Sequence, residues 1–285
     1  MRVTVVGGMN LDVLGTPESV LLPRDSSPGH VWVRPGGVGR NIAARLRELG
    51  VQVSLITALG CGFRAEMLNK SCAQIGIDLS HAVHTGCPAP CYLCLHDHNG
   101  DMIYAVNDMS AMNELTPDRM ADAVSWINES DGCVLDANVP EETLLYIAQH
   151  AKAPLILDPV STVKAPRAIP VLPYLTAIKP NLIEAQTLTG ESDPVLAAEK
   201  LLCAGVKNVC ISLGAEGVYY ADVLHKGLIP ARKLTDLPQT GAGDAFCAGM
   251  TYGLLSGLTL EEAAQKGCDT AFSALCTAGN DAALQ

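Results

Sequence analysis

Four short runs constrain this chain most: "VTVV" (3–6), "CVL" (133–135), "LIL" (155–157) and "VCI" (209–211) are almost wholly apolar, and each is followed by glycine or a polar residue. A strand with one wet face alternates in polarity. An unbroken apolar run implies a strand covered on both faces, as in a parallel sheet between helices. Helical patterns separate the runs. "GVGRNIAARLRELG" (37–50) places Ile42, Leu46 and Leu49 on one face and stops at Gly50. "LTPDRMADAVSWI" (115–127) offers Thr116 as N-cap and Pro117 at the first helical position. In "LTLEEAAQKGCDTAFSALC" (258–276), Thr259 and Glu262 have capping-box spacing. The pattern predicts one α/β unit over residues 1–285, built on a mainly parallel sheet.

Two segments depart from it, about 10–35 and 83–108. "CYLCLHDHNGDMIYAVND" (91–108) reads as two strands around Asn99-Gly100, a strong hairpin signal. Together they predict a small antiparallel flap standing off the main sheet. Hydrophobic residues make up 48% of the chain and aromatic ones only 4%, so the core must be chiefly Val, Leu, Ile and Ala.

A net charge of −11 leaves no basic footprint, which argues against a nucleic-acid partner. An anionic ligand would have to be held by local dipoles and a metal ion. "MRVTVVGGMN" lacks the apolar length of a signal peptide, and no run is long enough for a membrane span. The expectation is a cytoplasmic protein with no membrane partner. Eleven cysteines cannot all pair. "CYLC" has metal-like spacing, but on a strand Cys91 and Cys94 point to opposite faces, so they read as small buried hydrophobes.

In open α/β sheets, ligands sit beyond the carboxyl ends of the strands. Polar residues cluster at such ends: Asn10 and Asp12, Asp136 and Asn138, Asp158, Asn181, and Ser212. "QTGAGDAFCAG" (239–249) then places Gly241, Ala242, Gly243 and Asp244 before an apolar helical run. Glycines let the backbone approach a ligand, and a helix N-terminus offers unpaired N–H groups and partial positive charge. That makes an anion cradle. Asp244 cannot ligate an anion there, and it suits a general base taking a proton from an attacking hydroxyl. The plainer role, complementing the helix dipole, needs no neighbouring glycines. GxxxxGK[ST], GxGxxG and the protein-kinase motif set are all absent, which disfavours a P-loop, nicotinamide or protein-kinase site.

"PGGVGRNIA" (35–43), "KPNLIEA" (179–185), "SLGAEGVYY" (212–220) and "TGAGDAF" (240–246) resemble, in that order, the motif series of the PfkB/ribokinase-like carbohydrate kinases. The resemblance spans essentially the whole chain. It implies a ribokinase-like three-layer sandwich with a β lid and transfer of the γ-phosphoryl group of ATP, with Mg²⁺, to a sugar hydroxyl. Within the family, "PGGVGRN", "YAVNDM", "LDANV" and "LDPVS" look most like its pseudouridine-phosphorylating branch, whose acceptor is the ribose 5′-OH.

Matched residue by residue, Asp244 would be the base, and the backbone of Gly241, Ala242 and Gly243 the anion hole. Asn10, Asp12, Gly37 and Asn41 would hold the ribose. Asn181 and Glu184 would organise the phosphates and magnesium, the latter through Glu184 indirectly. Ser212, Gly214, Gly217 and Thr240 would serve the nucleotide. Asn107 and Asp108 at the flap's base, and Asn138, are candidates for the acceptor. Each has a plainer rival: a helix start for Asn41, a turn cap for Asp12, Asn107 and Asp108, a dipole partner for Glu184. Lys164 stands between a phosphate contact and a solvated loop.

Many family members carry an acid two residues before the threonine of "TGAGD", where it helps bind a monovalent cation. Pro238 stands there, and only backbone carbonyls remain for that ion. The flap's exposed edges imply a homodimer. Kinases for ribose, another nucleoside or a hexose remain alternatives, as does a non-catalytic binding protein on a kinase scaffold.

Overall fold

The structure is a computed structural model and describes residues 1–22, 24–232 and 241–282. Its strands are β1 (Arg2–Val6), β2 (Asn10–Pro17), β3 (Gly29–Gly36), β4 (Gln52–Ile56), β5 (Ala58–Cys61), β6 (Val83–Pro88), β7 (Cys91–His96), β8 (Met102–Asp108), β9 (Gly132–Asp136), β10 (Leu155–Asp158), β11 (Ala177–Ile178), β12 (Asn208–Ser212), β13 (Val218–Ala221) and β14 (Lys226–Ile229). The α-helices are α1 (Val38–Glu48), α2 (Phe63–Ile75), α3 (Ala121–Asn128), α4 (Glu141–His150), α5 (Leu182–Thr189), α6 (Pro194–Cys203), α7 (Ala242–Leu255) and α8 (Leu260–Ala282).

Eight strands form the main sheet in the order β14-β13-β12-β11-β10-β9-β1-β4. The six from β12 to β4 run parallel, and β13 and β14 are antiparallel additions at one edge. Both faces are buried, and the apolar runs feed them alternately. Cys133 and Leu135 join one core and Val134 the other; Leu155 and Leu157 face one side and Ile156 the opposite. α3, α4, α5 and α6 cover the first face, α1, α2, α7 and α8 the second. The result is the expected ribokinase-like three-layer sandwich.

The lid is a four-stranded sheet, β3-β2-β7-β8. Two details differ from the reading of the sequence. Val83–Pro88 pairs with β5 in a separate two-stranded sheet, so the lid's second segment starts at Cys91. β2 and β7 run parallel, so two antiparallel hairpins join through a parallel seam. Local alternation fixes a strand but not its distant partner. The turn between β7 and β8 is as read: Asp97 accepts the N–H groups of Asn99 and Asp101, and Gly100 has φ 91°.

Helix starts follow the sequence unevenly. Thr259 and Glu262 form their reciprocal cap, with Glu262 Oε2 accepting the Thr259 N–H at 2.9 Å. Thr116 makes no side-chain cap, because Pro117–Met120 is a 3₁₀ turn leading into α3.

β1 lies between β4 and β9, so the chain turns one way and then the other about it, and the crevice opens at the ends of β1 and β9. α1 reaches this point because Gly39 packs on backbone: a Cβ there would lie 2.8 Å from the Gly7 carbonyl carbon. We expect Gly39→Ala to destabilise the protein by about 1–3 kcal/mol, the usual range for overpacking. The midpoint of urea unfolding measures it.

Candidate active site

α7 begins at the carboxyl edge of the sheet, with Gly241 at its N-cap. Its first N–H groups have no partners within the helix, so partial positive charge faces the crevice. Asp244, half-buried in this first turn, turns towards α1, where its Oδ2 accepts a hydrogen bond of 2.9 Å from Asn41 Nδ2. The carboxyl is pushed up to about 7, first by burial and then by the nearby Asp158 carboxylate. Asn41 and Lys179 act against that rise, and Asp136 adds to it. A carboxyl with this value is poised to take a proton near neutral pH.

Asp136 is fully buried at the end of β9. Its Oδ2 accepts the Gly8 N–H at 2.7 Å and its Oδ1 the Asn138 N–H at 2.8 Å. Burial pushes it up to about 6. Asn138 is buried beside Gly8, and its Oδ1 accepts from Lys164 Nζ. Arg167 donates to the carbonyls of Ala137 and Asn138.

At the lid's base Asn10 Nδ2 donates to Asp12 Oδ1 at 2.6 Å, and Arg34 pairs with Asp12 at 3.5 Å. Arg34, Asp12, Tyr92 and Asn107 are register partners across the four strands and share one face. Since Asp12 binds Asn10 at the crevice, that face is the inner one, and Asn107 belongs to it. Asp108 lies on the other face. Its Oδ1 accepts from Ser110 Oγ at 2.7 Å, capping the next turn, so the structure does not bring it to the acceptor side. Gly37 precedes α1 at φ 98°, where a Cβ would lie 2.6 Å from the Gly8 carbonyl oxygen; its backbone conformation accounts for the glycine.

Asn181 and Glu184 form a reciprocal capping box at α5, Asn181 Oδ1 taking the Glu184 N–H and Glu184 Oε2 the Asn181 N–H, each at 2.8 Å. Asn181 Nδ2 and Glu184 Oε1 make no hydrogen bond among the described residues, and Glu184 is buried with its carboxyl raised by desolvation. A buried acid with one uncommitted oxygen suits an indirect, water-bridged hold on Mg²⁺, and the first N–H groups of α7, unpartnered among the described residues, suit a phosphate. Ser212 sits beside Asn181 through a parallel bridge. Gly214 and Gly217 close the turn after β12. Gly217 has φ 112°, and a Cβ there would overlap the Ile229 carbonyl oxygen, so this glycine too is a backbone requirement. Thr240, like Pro238, lies outside the described residues.

Besides Arg34 and Arg167, two further crevice residues, Lys179 and Arg40, carry no role in the sequence reading. Lys179 Nζ lies 2.9 Å from Asp158 Oδ2, with both side chains buried. Burial alone would depress the ammonium, but Asp158 outweighs it and holds Lys179 protonated above its usual range. Arg40 donates to Ser71 Oγ at 2.9 Å and approaches Asn41 Oδ1 at 3.4 Å. Both stand beside assigned residues, and the strand-end rule that selects Asn181 also reaches Lys179. Among the described residues there is no cluster of three potential metal-binding side chains, and no helix is long and apolar enough to cross a membrane. All eleven cysteines are free thiols.

A lidded three-layer α/β sandwich with an acid at a glycine-flanked helix start, facing the strand ends, defines a sugar- or nucleoside-kinase class. The model of the pfkB family carbohydrate kinases matches residues 1–284, and the chain belongs to that family. The pseudouridine kinase of Escherichia coli (strain K12) is 33% identical over 278 residues, covering 94% of this chain and 89% of that protein. The ribokinase of Lactococcus lactis is 27% identical, covering 92% and 86%. Among solved structures, the ribokinase of Thermotoga maritima superposes with a TM-score of 0.85 at 26% identity, covering 98% of this chain and 93% of that one. A sugar kinase from Clostridium perfringens, described as putative in its structure, gives 0.83 at 30%, covering 96% and 90%.

The raised Asp244 carboxyl has a consequence for stability. The unfolded chain ionises it near ~3.9 and the folded one at about 7. Folding therefore favours its protonated form, and this contribution, complete below ~3.9, is lost as pH rises to about 7. Asp244→Asn should raise Tm at pH 8 by at least ~2 °C, roughly what 1 kcal/mol gives in a domain of this size. The gain should shrink towards pH 4 in a calorimetric series.

Proposed function

We propose that the protein transfers the γ-phosphoryl group of ATP to the ribose 5′-hydroxyl of pseudouridine, giving pseudouridine 5′-phosphate and ADP. One observation carries phosphoryl transfer: Asp244, poised near neutral pH, stands in the first turn of α7 beside N–H groups that have no partner among the described residues. The choice of pseudouridine is supported by the strings "PGGVGRN" and "LDANV" and by the likeness to the Escherichia coli pseudouridine kinase.

Asn10, Asp12 and Asn41 hold the ribose, and Asn107 on the lid's inner face meets the base. Asp244 accepts the 5′-hydroxyl proton as oxygen attacks phosphorus. The N–H groups of Gly241, Ala242 and Gly243 take the charge on the migrating phosphoryl group. Ser212, Gly214 and Gly217 line the nucleotide, and Asn181 and Glu184 the phosphate side; the nucleotide role of Thr240, outside the described residues, rests on the sequence motif. Magnesium, when bound, neutralises phosphate charge. Phosphoryl transfer has a loose transition state, so positioning and charge stabilisation dominate. The lid keeps water from competing as acceptor.

The lid's outer face exposes Val31, Val33, Leu93, Tyr104 and Val106, which supports pairing with a second copy of the chain through the lids. Free thiols and the use of ATP fit a cytoplasmic enzyme. The ribokinase likenesses support ribose as the alternative acceptor.

ADP release measured over pseudouridine, uridine, adenosine, ribose and fructose with Mg-ATP tests the reading. Pseudouridine should give the highest kcat/KM, and a higher value for ribose overturns the choice of acceptor. Asp244→Asn should lower kcat by at least ~10²-fold while retaining ATP binding, the floor for a lost general base. kcat/KM should fall about tenfold per pH unit below about 7, where Asp244 becomes protonated.

A further inference from the structure

Lys179 follows β11 by one residue, and the mechanism above leaves it unused. A Cβ placed on Gly243 would lie 3.0 Å from Lys179 Nζ, so the ammonium sits against the first turn of α7, beneath the anion hole. Its partner Asp158 is fixed from a second side: Asp158 Oδ1 accepts the Val160 N–H at 2.8 Å, and Val160 has φ 68°. A β-branched residue rarely adopts that conformation, and such outliers gather at functional sites. A buried ion pair is weak evidence for stability, since apolar residues of similar volume often serve as well. This one stands where the sheet opens to the crevice.

The groups that face Asp244 are Asp136 from the end of β9, Asp158 from β10, Lys179 beyond β11, Asn41 from α1 and Cys247 on α7 itself, while Glu184 faces the pair from α5. Among the described residues Lys179 is the only cation in that set. We propose that Lys179 and Asp158 are a positioning pair for phosphoryl transfer, the ammonium supplying fixed positive charge beneath the α7 anion hole and Asp158 holding it there. This rests on the reading of Asp244 as the base. The two members act on Asp244 in opposite senses: the ammonium favours its ionised form, and the Asp158 carboxylate opposes it.

The test compares wild type with Asp158→Asn, Lys179→Met and the double variant. Two readouts are taken: a carboxyl-carbon NMR titration of Asp244 in the nucleotide-free protein, and the pH profile of kcat/KM with Mg-ATP. The Asp244 midpoint should move down by at least ~0.5 pH unit in Asp158→Asn and up by at least ~0.5 in Lys179→Met. kcat in Lys179→Met should drop at least ~10-fold, with acceptor KM within ~3-fold, as expected for charge that acts mainly in the transition state. A merely structural pair would change stability and leave kcat of the folded Lys179→Met variant within ~3-fold of wild type, whatever the midpoint does. Unmoved midpoints in folded variants, or shifts of the same sign, overturn the proposal. Should Lys179→Met fail to fold, two variants decide instead: Asp158→Asn, which keeps an amide oxygen for the ammonium, and the double variant, which leaves no lone charge. No turnover in the wild type with any acceptor would remove the kinase reading, and the titration would still judge the pair.

Discussion

The fully buried carboxylate of Asp136 is the joint on which the crevice hangs. One oxygen takes the N–H of Gly8 after β1, and the other takes the N–H of Asn138 after β9. These strands meet where the chain reverses its direction of travel across the sheet, so the joint fixes the relative heights of two strand ends. From one end spring Asn10 and the lid; from the other, Asn138 and its contact with Lys164. An acid that was ionised here without both amides would be costly, and its raised carboxyl shows that even with them burial still exacts a penalty.

Charge is distributed against the overall field. The chain carries −11, yet Asp12, Asp136, Asp158, Glu184 and Asp244 around the crevice are interleaved with Arg34, Arg40, Lys164, Arg167 and Lys179. Among the described residues these five acids and five bases balance formally around the crevice. An anion entering it meets mainly the dipole of α7, which is local and directional, while the acidic exterior discourages polyanions.

The architecture was legible because burial on both faces leaves a mark: "GCVLD" and "LILD" are short apolar runs, too short for helices and set between helical patterns, which reads as covered strands. The place of Asp244 was legible for a similar reason, since small residues before an apolar helix have few other uses. The lid's inner wiring was not. Whether Cys91–His96 pairs with β2 or with a neighbour nearer in sequence depends on long-range register, which alternation does not encode. Asn107 and Asp108 look equivalent as letters, but adjacent strand residues face opposite ways, and only the pairing with Tyr92 tells which is inside. Asn181 and Glu184 illustrate a different limit. Their spacing is at once a family motif and a helix cap, and the structure shows the cap. Lys179 is not legible as a site residue because a lysine at the edge of a loop usually belongs to water, and its burial appears only once α7 folds over it.

The parallel seam between β2 and β7 carries a lesson for engineering. Neither hairpin of the lid is a self-sufficient cassette, because each contributes one strand to a junction that the other completes. Grafting a foreign loop from one relative would leave half a seam unmatched. Recognition at this cover must therefore be redesigned as two separated stretches of chain changed in concert.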